Sequence, residues 1–321
     1  MSVFLFILSN NIIPIFILIL LGFAMGKNFN MDIATLTKLN FYVFVPSFTF
    51  VNLYTTQIPI EMTKVLIVTI CILVTNILVS WIISKGFAYD EGLKNAFANS
   101  IIFFNTGNIG VPLITLLFSS APFLIDGETP YLNIALTAQI MILVVQNITT
   151  NTIGFMNAGR ATTPWKESFY KVLKMPTIYA VPLAFLLKGV PYDITMLPIW
   201  PTLNYARHAL VPVALIALGI QLSKTAFVFK NRAVYVSALV RLFGGPVFAM
   251  FFLYLFQIEG IMAQVVMISA ALPTAVNTAL IAVEYDNYPD FASQAVMLST
   301  LLSGGSLVFI IYMARIIFPI V

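Results

Sequence analysis

Charge is scarce in this chain. Only 9% of its 321 residues are Asp, Glu, Lys or Arg, against about 25% in a typical soluble domain. Cysteine and histidine occur once each. The lone Cys71 excludes a disulfide framework within the chain and reads as a small mid-span residue. The lone His208 cannot make a metal site by itself and reads as a hydrogen-bonded helix residue. All twelve acids, from Asp32 to Asp290, fall in loops or at the ends of apolar runs, Glu284 being the deepest. A carrier coupled to protons through a membrane-buried carboxylate is therefore not expected. An intramembrane enzyme or a receptor is the less expected reading: there is no His-Glu-x-x-His, no pair of membrane aspartates and a single histidine, and a receptor does not require two matched midplane breaks. The net charge of +4 does not point to nucleic acid, because the cations sit in short loops between apolar runs.

Hydrophobic residues, by contrast, make up 60% of the chain. A membrane-spanning helix needs about 20 largely apolar residues. Ten runs qualify: 5-26, 34-54, 63-84, 93-118, 130-154, 171-188, 199-222, 233-256, 261-284 and 291-318. The first follows Met1-Ser2-Val3-Phe4 without a cationic leader and is too long for the core of a signal peptide, so it is expected to be a retained span. With the N-terminus outside, the inner loops hold Lys27, Lys38, Lys85, Lys94, Arg160, Lys166, Lys171, Lys174, Lys224, Lys230 and Arg232. Only Lys64, Lys188 and Arg315 then lie outside. Cytoplasmic loops collect Lys and Arg, so both termini are predicted outside.

The second half of the chain echoes the first. Leu39-Asn40-Phe41-Tyr42 and Pro46 in span two match Leu203-Asn204-Tyr205 and Pro212 in span seven; Pro14 and Gly26 match Pro176 and Gly189. The halves, 1-160 and 161-321, are offset by about 165 residues. An odd number of spans per half makes the repeat inverted.

One stretch within span four, Asn105-Thr106-Gly107-Asn108-Ile109-Gly110-Val111-Pro112-Leu113, gathers two glycines, a proline and two asparagines. Such a run is expected to unwind the helix for about a turn. Span nine carries a matching break at Pro273-Thr274-Ala275-Val276-Asn277. Unpaired backbone groups are costly in hydrocarbon, so irregular backbone there belongs inside protein or beside a watery cavity. From the inner side, Leu93 to Phe104 would carry span four about 18 Å into the membrane. The two breaks are thus predicted to cross at the midplane. Their second halves would begin near Leu113 and Thr278, offering helix N-termini to an anion. The first halves would end near Phe104 and Leu272, where carbonyls suit a cation or a donor group. Asn105 and Asn108 share a helical face, and Asn277 is their counterpart from the other half.

Arg207 and Arg241 are the cations placed within spans. Arg207 either snorkels to the headgroups or meets the substrate; Arg241, ahead of Gly244-Gly245-Pro246, is the better candidate for a substrate carboxylate, with a structural pairing as the other reading. Gln139, Gln146, Asn147 and Asn151 in span five and Ser299, Thr300 and Ser303 in span ten either pack between helices or hold a sodium ion. No other cofactor and no catalytic or metal-ligating residue is expected.

The nine-residue stretch from Asn105 to Leu113 resembles the span-four signature of the auxin efflux carrier family, which includes plant auxin exporters and bacterial permeases for malate-like acids. The resemblance extends over the whole chain in span count, inverted halves and proline positions. It implies an all-α membrane protein with a fold like that of bile-acid sodium symporters: ten transmembrane helices as two inverted five-helix repeats, with spans four and nine broken and crossed. It further implies a dimerising scaffold (5-54 and 171-222), a moving transport domain (63-154 and 233-318) and elevator-type carriage of an organic anion. The substrate-binding positions expected from residues and resemblance together are Asn105, Gly107, Asn108, Gly110, Pro112, Pro273, Asn277, Arg241 and Arg207. The central loop lacks the long hydrophilic insertion of the plant exporters, so a bacterial-type organic acid permease in the cell membrane is the nearer match. A sodium-coupled symporter of an amphipathic anion is the second reading.

Overall fold

The computed structural model describes residues 3–57, 59–159, 173–225 and 231–320. The loop cations Arg160, Lys166, Lys171 and Lys230 lie outside the described residues. Among those described there is no β-strand, only two isolated bridges. In chain order the helices are α1 (Phe4–Asn28), α2 (Ile33–Leu39), α3 (Val45–Thr55), α4 (Met62–Gly86), α5 (Glu91–Ile102) and α6 (Thr106–Phe118). They continue with α7 (Leu132–Ala158), α8 (Pro176–Lys188), α9 (Ile199–Ser223), α10 (Arg232–Leu255), α11 (Gly260–Ala270), α12 (Val276–Glu284) and α13 (Pro289–Ile317). Six of these, α1, α4, α7, α9, α10 and α13, are each long and apolar enough to cross a membrane. The chain is an all-helical, integral membrane protein. Several of the remaining predicted runs fall short for identifiable reasons. The breaks divide two of them into α5 and α6, and α11 and α12, while α8 is only 13 residues long.

The sparse polar residues of the loops start the helices. Asp32, Asp90 and Asn231 each accept a hydrogen bond at about 3.0 Å from the first turn of α2, α5 and α10, satisfying amides that have no partner within the helix. Prolines shape the interiors. Wide, π-type turns at Leu8–Ile12, Asn40–Phe44, Thr106–Gly110 and Val240–Gly244 each lie two residues ahead of a proline: Pro14, Pro46, Pro112 and Pro246. A proline ring displaces the preceding turn and withholds a donor. At these places a single wide turn absorbs the disturbance, and the helix continues.

Two sets of helices pack mainly among themselves. The first comprises α1, α3, α8 and α9; the second comprises α4 to α7 and α10 to α13. In the first set α1 and α9 touch backbone to backbone. A Cβ at Gly22 would lie 2.8 Å from the Cα of Ile216, and one at Gly219 would lie 2.7 Å from the amide of Phe23. Where helices meet without a hydrophobic drive from water, small residues of this kind allow close packing.

Candidate anion site at the helix crossing

The site is built from two helices that stop and restart at the same place. Helix α5 ends at Ile102, and Phe103 is extended (φ −104°, ψ 122°). Helix α11 ends at Ala270, and the chain reaches Val276 through Ala275, also extended (φ −65°, ψ 134°). Phe104 and Thr274 meet across the gap as an antiparallel bridge. The Asn105 amide donates to the Pro273 carbonyl at 2.8 Å, and the Ala275 amide donates to the Phe103 carbonyl at 2.9 Å. Each break thus supplies the backbone partners that the other lacks, which solves the cost of irregular backbone in an apolar surrounding. Pro273 has no amide to satisfy, so its carbonyl is all that must be paired.

Side chains from neighbouring helices complete the accounting. The Phe104 amide donates to Gln146 Oε1 at 3.3 Å and the Thr274 amide to Ser299 Oγ at 3.1 Å. Gln139 Nε2 donates to the Thr106 carbonyl at 3.1 Å and accepts at Oε1 from the Ser269 hydroxyl at 2.5 Å. Thr274 Oγ1 donates to the Ser100 carbonyl at 2.8 Å. Three residues that could serve as sodium ligands, Gln139, Gln146 and Ser299, therefore hold the unwound backbone.

The unwound stretch of span four is shorter than its residues suggest. The second half-helix begins at Thr106, not near Leu113, because Asn105 caps it: Asn105 Oδ1 accepts from the Asn108 amide at 3.2 Å. The glycines lie inside the wide turn that follows and have separate uses. A Cβ at Gly107 would meet only Leu143 Cδ1, at 3.7 Å, whereas one at Gly110 would lie 2.7 Å from Leu272 Cδ1 and press on the Gln139 amide. Pro112 is buried in the first turn after the wide turn.

A cavity of about 40 Å³ opens at the crossing, lined among others by Asn40, Asn105, Gly107, Asn108, Gln146 and Asn277. Asn105 and Gln146 are 4% and 2% exposed, and their side-chain nitrogens, Nδ2 and Nε2, have no hydrogen-bond partner. Two buried amide donors without acceptors are costly unless a ligand completes them. The N-terminus of α6 begins beside them, so the local field favours negative charge. Asn40, Gln146, Asn147 and Thr150 join this lining although the breaks in sequence did not single them out as anion contacts. In the sequence Asn40 stands out only in the Leu-Asn repeat, and Gln146 and Asn147 only as packing or sodium candidates.

The small cavity shares Phe41 and Asn277 with a chamber of about 380 Å³ that also carries Lys38 and Lys174. That chamber in turn shares Thr37, Lys38 and Leu280 with one of about 660 Å³ lined by Lys224 and Asp290. Of the expected site residues, Asn105, Gly107, Asn108 and Asn277 come together around the crossing cavity. Gly110, Pro112 and Pro273 form its supporting backbone. Arg207, half-buried on α9, lines none of these three cavities. Nor does Arg241: it is fully buried behind the crossing, where Nη1 donates to the Ile101 carbonyl at 2.5 Å and Nη2 donates to the Ala270 carbonyl.

Long apolar helices packed with a polar cavity where two helix breaks meet suit a membrane transport protein. A family model described as a membrane transport protein matches residues 7–164 and 165–311. The chain belongs to this family, the auxin efflux carrier family. It is also similar to an uncharacterized transporter of Methanothermobacter thermautotrophicus, 24% identical over 310 residues, which cover 93% of this chain and 96% of that protein.

Proposed function

We propose that this protein is a carrier of small organic anions that works by elevator-type alternating access. The observation that carries the reading is the pair of unpartnered, buried amide donors, Asn105 Nδ2 and Gln146 Nε2, at a cavity flanked by helix N-termini. A carboxylate accepts from two such donors, and a cavity of about 40 Å³ holds such a head group while the rest of the molecule extends past Asn277 into the larger chamber. Lys38 and Lys174 in that chamber favour an anion's entry.

The wider organisation follows from the same reading. Helix pairs α5/α6 and α11/α12 each count as one broken span, which makes ten spans in two inverted five-span repeats, 1-160 and 161-321, with both termini outside. Helices α1 to α3, α8 and α9 are the scaffold and pair with a second copy; α4 to α7 and α10 to α13 move with the anion. The lysine-lined chambers then face the cytoplasm, and the protein is captured open to that side. Malate-like carboxylates of a bacterial cell membrane permease fit the pocket's polarity, and indole acids fit the aromatic wall of Phe41 and Tyr42.

The test is uptake of labelled malate and indole-acetate into proteoliposomes, with a membrane potential and a sodium gradient imposed separately. Movement of either anion under potential alone supports a uniporter. Movement only with sodium converts the carrier to a symporter, and no movement of any small carboxylate under either gradient refutes the anion reading.

A further inference from the structure

Among the described residues, Arg241 is the one charged side chain that is buried, and the anion cavity does not use it. Its surroundings are specific. Helices α5 and α11 both point their C-terminal ends at the crossing, and such ends carry unpaired carbonyls and partial negative charge. The guanidinium sits between them, with one nitrogen on Ile101 and the other on Ala270. No carboxylate is among its partners. The Phe104 ring, part of the bridge itself, covers it with the guanidinium carbon 4.8 Å from the ring centre. Room for the group comes from Gly245, one turn farther along α10: a Cβ there would lie 3.2 Å from Arg241 Cζ and would press on Nη2 and the Ala270 carbonyl.

We infer that Arg241 is the resident cation of the crossing, a positioning residue whose fixed charge joins the two half-helix ends and thereby holds the anion-binding amides in place. Two converging helix C-termini would otherwise need a bound cation or would repel each other. The planar fork of arginine reaches both carbonyls at once, which a lysine ammonium does not do in the same geometry. Sodium is then not required to assemble the site. The inference rests on the anion reading only for its link to transport, since assembly of the crossing can be measured without substrate.

The experiment uses purified full-length protein bearing Arg241→Ala, Arg241→Gln or Arg241→Lys. Thermal unfolding is followed without substrate in choline, sodium or millimolar guanidinium chloride, and uptake is measured in proteoliposomes. Arg241→Ala should melt several degrees below wild type, recover with guanidinium and not with sodium, and lose at least about tenfold in uptake. Arg241→Lys should retain more uptake than Arg241→Gln and less than wild type, because lysine keeps the charge but not the fork, and glutamine keeps neither. Should Arg241→Ala not fold, the Lys and Gln pair decides. Equal behaviour of Lys and Gln, absence of guanidinium recovery in a folded Arg241→Ala, or sodium-specific stabilisation of wild type would each overturn the inference. Guanidinium recovery of melting with no uptake by wild type would uphold Arg241's role and refute the anion carrier instead.

Discussion

Gly107 and Gly110 stand three residues apart in one wide turn, and their substitution by alanine has opposite expected outcomes. At Gly110 the added methyl meets Leu272 Cδ1 at 2.7 Å and displaces the Gln139 amide. Overpacking costs about 1–3 kcal/mol. Moving Gln139 also takes its Nε2 off the Thr106 carbonyl, which keeps the Val111 amide, and leaves a buried donor without a partner, at about 1–3 kcal/mol. Alanine's better helix propensity returns about 0.5–1 kcal/mol. The net loss for Gly110→Ala is then roughly 1–5 kcal/mol. Gly107→Ala meets only Leu143 at 3.7 Å and retains the propensity gain, so it should melt at or slightly above wild type. It faces the cavity, however, so its uptake should fall. Thermal unfolding of the detergent-purified variants, read by size-exclusion recovery after heating, separates the two. Gly110→Ala as stable as wild type, or Gly107→Ala less stable than Gly110→Ala, would refute the argument that the second glycine is there for close packing and the first for access.

Other substitutions probe the remaining parts. Asn105→Ala removes both an unpartnered donor and the cap on Asn108, so uptake should drop at least about tenfold while the fold loses about 1 kcal/mol; unchanged uptake in a folded variant would remove Asn105 from the site. Asn277→Ala, at the opening between cavity and chamber, should raise the KM for the anion with little change in melting temperature. Replacing both Lys38 and Lys174 by Gln should slow uptake at low ionic strength and have less effect in high salt, because steering by exposed charge is screened. Gly22→Leu places a side chain into the Ile216 backbone and should prevent recovery of folded protein in a membrane-extraction assay.

The residues around the crossing show which parts of the molecule could be read in advance. Apolar run length and scarcity of charge placed the helices, because a bilayer leaves a chain few other options. Pro273 and the cluster from Asn105 to Pro112 pointed to interrupted helices, since glycine and proline act through local backbone geometry. The first interruption is shorter than those letters imply: the asparagine that starts the cluster caps the next half-helix, and the wide turn before Pro112 keeps the glycines helical. A capping bond between a side chain and an amide three residues on is a geometric fact, and the same letters suit an open loop.

The sequence by itself determined that this chain lives in a membrane, is helical throughout its apolar runs and interrupts those helices at two places with polar amides nearby. Those properties depend on composition and neighbours in the chain. Only the tertiary structure decided that Phe104 pairs with Thr274, that Gln139 and Ser299 serve the backbone, and that Arg241 turns away from the cavity onto Ile101 and Ala270. Each of these joins residues from 25 to 170 positions apart. A buried polar group takes whichever partner packing brings within reach, and no local pattern in the chain specifies that partner.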